Sequence, residues 1–109
     1  MTETDDATLG GYFDIHERPP AFEGVDGGAY SVALYVDSEP GPGGRYGGAL
    51  LFVRWNAGGD QPSGHVETEY LVEGRTPAEA EQGLRALTLH DVKHHLDQAI
   101  ARAQALPEW

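Results

Sequence analysis

The chain of 109 residues carries 18 Asp and Glu against 7 Lys and Arg, a formal net charge of −11, and it has no Cys. A chain this size supports one modest core, so residues 1–109 are expected to form a single domain. Without Cys, a disulfide framework, a thiolate zinc site and a cysteine nucleophile are excluded.

The charge repels nucleic acid and anionic lipid, so neither is an expected partner. The start, MTETDDATLGG, lacks the basic and apolar stretches of a secretory signal. The longest apolar run, ALLFV at 49–53, is too short to span a bilayer. A cytoplasmic protein without membrane contact is the expectation. The acids are scattered from Glu3 to Glu108 and Lys93 is the single lysine. That pattern fits general solvation, or a genome or proteome bias towards Arg, as well as a binding role.

In chain order, residues 1–10 read as a disordered tail. GYFDIHE at 11–17 alternates Phe13 and Ile15 against Tyr12, Asp14 and His16, which predicts a strand. AYSVALYVD at 29–37 sets Tyr30, Val32, Leu34 and Val36 on one face and Ala29, Ser31, Ala33 and Tyr35 on the other. GALLFVRWN at 48–56 is apolar on both faces up to Arg54, as in an interior strand. GHVETEYLVEG at 64–74 alternates again, with Val66, Thr68, Tyr70 and Val72 opposite His65, Glu67, Glu69 and Glu73. The connections at 18–28, 38–48 and 57–64 are rich in Gly and Pro and have no helical period, so the strands should be antiparallel neighbours.

Helix signals follow. Thr76, Pro77 and Glu79 form an N-cap, a first-position proline and a capping box, and Leu84 and Leu87 supply an apolar side, with Gly83 a weak point. Thr88 and Asp91 make a second capping box, and Leu89, Val92, Leu96, Ala99, Ile100 and Ala103 recur at helical spacing up to Pro107. The predicted fold is α+β: a four-stranded antiparallel meander with two C-terminal helices on one face and no helix before residue 75.

LHDVKHHLD at 89–97 concentrates three histidines and two aspartates. His90 and His94 have the His-x-x-x-His spacing that can reach one ion, but structural zinc needs four ligands and catalytic zinc three. His95 with Asp91, and His94 with Asp97, are ordinary helix neighbours, so the solvated face of a helix is the simpler reading. Other candidate ligands, His16, His65, Asp14, Glu67 and Glu69, are expected on the opposite side of the sheet. The loop GPGGRYGG at 41–48 lacks the Gly-Lys-Ser/Thr ending of a phosphate loop, and Ser31, Ser38 and Ser63 occur in no nucleophile-elbow pattern.

No catalytic constellation is complete, and no cofactor is expected. The third strand offers two apolar faces for two helices. Tyr12 and Tyr35, with either Leu50 and Phe52 or Leu51, Val53 and Trp55, therefore need cover from a sister chain, a partner or the loop at 18–28 carrying Phe22 and Val25. This points to a non-enzymatic interaction module, a homodimer in the simplest case, with Tyr12, Tyr35, Phe52, Trp55, Glu67 and Glu69 as partner-binding candidates. The alternatives are an acidic immunity- or antitoxin-like inhibitor of a basic enzyme, using Asp37, Glu67, Glu69 and Glu73, and a divalent-metal binder using His90 and His94.

Overall fold

The computed structural model describes residues 7–105. Helix α1 (Leu9–His16) comes first, followed by strands β1 (Ala21–Glu23), β2 (Ala29–Val36), β3 (Tyr46–Trp55), β4 (Pro62–Glu67) and β5 (Val72–Gly74). Helices α2 (Pro77–Arg85) and α3 (Leu89–Ala105) complete the chain. The strands pair antiparallel in the order β1-β2-β3-β4, and β5 pairs with β3. The architecture is α+β, an antiparallel sheet with the C-terminal helices packed on one face.

The first predicted strand is a correction. Residues 11–17 are helical, so a helix does precede residue 75, and the sheet begins instead at Ala21–Glu23, inside a segment read as loop. Local capping decides against the strand pattern. Thr8 Oγ1 accepts from the Gly11 N–H at 3.0 Å, and Glu17, in the left-handed region, closes the helix by donating its N–H to the Phe13 carbonyl. Leu9 and Phe13, four residues apart, then share the inward side, whereas Ile15, expected inside, is 44% exposed.

Ala7 to Gly10 also leave the predicted tail and join the fold. Leu9 is fully buried, and the backbone pairs Leu9 N–H to Leu87 O and Leu89 N–H to Ala7 O stitch this segment to the link between α2 and α3. Residues 1–6 lie outside the described region.

The two C-terminal helices start where the capping chemistry places them. Thr76 Oγ1 accepts from Glu79 N–H at 3.1 Å, the Glu79 carboxylate accepts from Arg75 N–H, and Thr88 Oγ1 accepts from Asp91 N–H at 3.0 Å. Gly83, weak for a helix, has a packing purpose. A Cβ there would lie 3.1 Å from Val72, so its absence lets α2 settle against β5.

The core lies between the helices and one sheet face. Tyr30, Val32, Leu50 and Phe52 meet Leu9, Leu84, Val92, Leu96 and Ile100, with Phe22, Leu34, Val36, Val66, Leu71 and Val72 around them. Phe22 thus joins this core instead of covering the opposite face, and Val25 stays 66% exposed. Tyr30 is buried and needs a partner for its hydroxyl, which donates to Asp26 Oδ2 at 2.9 Å. Desolvation pushes the Asp26 carboxyl up, but hydrogen bonds from Gly28, Tyr30 and Arg54 outweigh it and hold the pKa below the ordinary value. Asp97 ties this loop to α3 by accepting from Val25 N–H and pairing with Lys93, not with His94.

The register makes Phe52 and Val53 a test of which face is the core. Phe52→Ala should cost about 3–5 kcal/mol as a fully buried aromatic, and Val53→Ala, on the half-buried opposite face, about 1 kcal/mol or less. Urea midpoints at unchanged m-value measure both. Equal losses would contradict the one-sided core.

Candidate functional site: the open face of the sheet

Side chains alternate along β2 and β3, so the residues not used by the core share the other face. They pair across the two strands as Ala29 with Trp55, Ser31 with Val53, Ala33 with Leu51 and Tyr35 with Ala49. Helices α1, α2 and α3 all contribute to the single core on the opposite side, so none of the three covers this ribbon, in which Ala49 alone is buried. Trp55 lies towards β2, its indole N–H donating to Ser31 Oγ at 3.0 Å. The ribbon itself carries no charge. Its acids sit at the edges, Glu23 opposite Ala29 on β1 and Glu67 opposite Leu51 on β4.

At the end of the face nearest the β2–β3 turn, the β4 edge is irregular. Leu51 faces Glu67 in β4, but Gly48 faces Val72 in β5, so the edge chain contains two more residues than β3 between these pairs. Thr68 remains bonded to Leu50 through both backbone and hydroxyl, and Leu71 N–H reaches the Gly48 carbonyl. The extra length bulges out at Glu69 and Tyr70. Leu71 turns inward, and Tyr70 lies over Gly47 on the open face, reversing the expected side for Tyr70.

Gly47 is the seat of that ring. A Cβ at 47 would come within 2.6 Å of the Tyr70 ring, so only glycine admits this packing. The Tyr70 hydroxyl donates to Asp37 Oδ1 at 2.8 Å, and Asp37 Oδ2 accepts from Gly47 N–H at 3.2 Å. Hydrogen bonding to Asp37 raises the pKa of both Tyr35 and Tyr70. The Tyr70 hydroxyl is the largest influence on Asp37 and lowers its carboxyl pKa, with the Tyr35 hydroxyl and Gly47 N–H acting in the same direction.

Between the two tyrosines lies a groove of about 550 Å³. Its floor is Ala49 and Leu51, and its edge wall carries Glu67 at the end of β4 and Glu69 in the bulge. Arg102 of α3 donates to the Glu67 carbonyl at 2.9 Å and approaches Glu69 at 3.7 Å, leaving the Glu69 side chain 84% exposed.

The fold brings Tyr35, Trp55, Glu67 and Glu69 to this face or its rim, but not the other two partner-binding candidates. Tyr12 lies on α1, stacked on His16 with ring centroids 4.1 Å apart, because its segment is helical. Phe52 is fully buried beneath the helices, because the even-numbered side of β3 faces them. Asp14, expected on the same sheet face as Glu67, instead accepts from Arg85 at 2.7 Å in the helix layer. His90 and His94 occupy exposed positions of α3. Among the described residues no group of three His, Cys, Asp or Glu side chains could hold a metal ion.

Sequence reasoning missed Tyr70, Asp37 and Gly47 as one unit. The available signal was the apolar triplet Tyr70-Leu71-Val72, which breaks strict alternation and marks the bulge. Comparisons with protein families, curated proteins and solved structures found no match. No described helix is long and apolar enough to cross a membrane.

The pH dependence of this cluster has two limbs. Asp37, lowered by folding, contributes stability that is present above the ordinary Asp range and is lost as pH falls through its folded pKa. Tyr35 and Tyr70, raised by folding, contribute stability that is present below about pH 10 and is lost as pH rises through their folded values. Ring-carbon NMR titration should place both tyrosines above the ordinary midpoint, and Asp37→Asn should bring both back towards it. Midpoints indifferent to Asp37→Asn would rule the cluster out.

Proposed function

We propose that this protein is a non-enzymatic interaction module that docks through the open face of its sheet, with a second copy of itself as the first partner. The observation that carries this reading is the uncharged ribbon of Ala33, Tyr35, Leu51, Val53 and Trp55 framed by edge acids. An apolar centre with a charged rim is the anatomy of a protein interface, and a contiguous uncovered apolar patch is uncommon without a partner. A two-fold contact would place the same ribbon on both sides of the interface.

The rival reading, an acidic inhibitor of a basic enzyme, draws less support. Two of its four acids have neighbours within the fold, Asp37 with Tyr70 and Gly47 and Glu69 with Arg102.

Salt separates the two. Chains of like charge associate better when screened, whereas an acidic inhibitor binds its basic target less well. Analytical ultracentrifugation should show a dimer whose dissociation constant falls as NaCl rises from about 50 to about 500 mM, while the Debye length shrinks several-fold. Val53→Gln should weaken the dimer at least about tenfold, as loss of a central apolar contact does. A wild-type chain that stays monomeric at every salt concentration sinks the self-association reading.

A further inference from the structure

Beyond self-association, we propose that the groove between Tyr35 and Tyr70 is a clamp for an arginine side chain presented by a docked polypeptide. The inference builds on the reading of the open face as a protein-docking surface and specifies the chemistry at one end of it. Three features of the groove converge on that occupant.

The walls are aromatic and oriented. Tyr70 is seated on Gly47 and held through its hydroxyl by Asp37, and Tyr35, 51% exposed, forms the facing wall. The electron-rich face of a tyrosine attracts a cation, and a planar guanidinium can also stack on it.

The floor is apolar. Ala49 and Leu51 suit the methylene stem of a long side chain, which packs on apolar surface while its charged head stays near water.

The charge is of one sign. Glu67 and Glu69 line the groove and no basic side chain does, while Arg102 reaches the Glu67 carbonyl and lies 3.7 Å from an otherwise exposed Glu69 carboxylate. A carboxylate beside a ring face offers guanidinium a two-point contact that ammonium lacks, so arginine fits better than lysine. The volume of about 550 Å³ is ample for one such side chain.

The test is an NMR titration with acetyl-Gly-Arg-Gly-amide, set against the same peptide carrying citrulline, the neutral isostere of arginine. The arginine peptide should bind saturably in the millimolar range, shift Tyr35, Leu51 and Tyr70 together, and exceed citrulline by at least about fivefold, the scale of an exposed cation–π contact plus one charge pair. Glu67→Gln should lower the affinity about threefold while leaving the rest of the spectrum in place, as an exposed charge removed without structural cost would.

Equal binding by citrulline, or no saturation by about 20 mM peptide, overturns the clamp. Propylguanidinium, with the same single charge, binding tighter than the peptide overturns the assignment to a polypeptide. Running the titration on Val53→Gln as well keeps the two proposals apart. Self-association without arginine selectivity leaves the docking face standing and removes the clamp, whereas arginine selectivity in a chain that never dimerises keeps the clamp and removes the second copy as partner.

Discussion

The structure depends on which side of β3 receives the helices. From Ala49 to Val53 this strand is apolar on both faces, yet α1, α2 and α3 all pack on the side of Leu50 and Phe52. Connectivity enforces that choice for all three at once. A short link joins α2 to α3, and the backbone pairs between Ala7–Leu9 and Leu87–Leu89 bring α1 to the same link. With Leu84, Val92 and Leu96 seated on one face, no helix of the three is left for the other, and only Tyr70 of the edge bulge reaches over its Gly47 end. Leu51, Val53 and Trp55 remain half-buried for that reason and not because the strand is poorly formed.

The same strand organises the acidic end of the open face. Because β3 is longer than either β4 or β5, it pairs with both on one edge, and the mismatch between them is absorbed at Glu69 and Tyr70. A two-residue excess preserves the alternation of the flanking strands, so Val66 and Val72 both stay inward. The bulge therefore redirects Tyr70 without disturbing the core, and Gly47 and Asp37 give the ring a fixed place. Bulges of this kind re-aim a side chain at little cost to the ladder, which is how an ordinary meander acquires a shaped, negatively charged groove.

Much of the fold was legible because its signals were local. Alternation located β2 and the edge strand at β4, a continuous apolar run located β3, and the Thr76 and Thr88 capping boxes located α2 and α3, since each depends on residues close in sequence. The first segment misled for the converse reason. Phe13 and Ile15 alternate as in a strand, and only the contacts of Leu9 with distant Leu87 and the Thr8 cap select a helix. The two-sided character of β3 was also visible in the composition of 48–56, but the choice between its faces was not, because it is made by residues some thirty to fifty positions away. The groove lay deeper still. Tyr35, Asp37, Gly47 and Tyr70 belong to three separate segments and meet only through the register on either side of β3. Of the histidines of 89–97, conspicuous as a string, His90 and His94 stay on the outer side of α3, and His95 is half-buried beside Tyr70 and Leu71, while the inward stripe is Val92, Leu96, Ala99 and Ile100.

One face of β3 is sealed within the chain, and the other is left open for the second protein surface proposed above. Paramagnetic relaxation by a soluble gadolinium chelate, read at the methyl groups, measures this directly. In dilute solution the Leu51 and Val53 methyls should relax strongly while those of Leu50 and Val32 do not, and at high concentration Leu51 and Val53 should become protected while the exposed Val25 does not. Methyls of Leu51 and Val53 that are shielded even in dilute solution, or that stay fully relaxed at every concentration, would contradict the account.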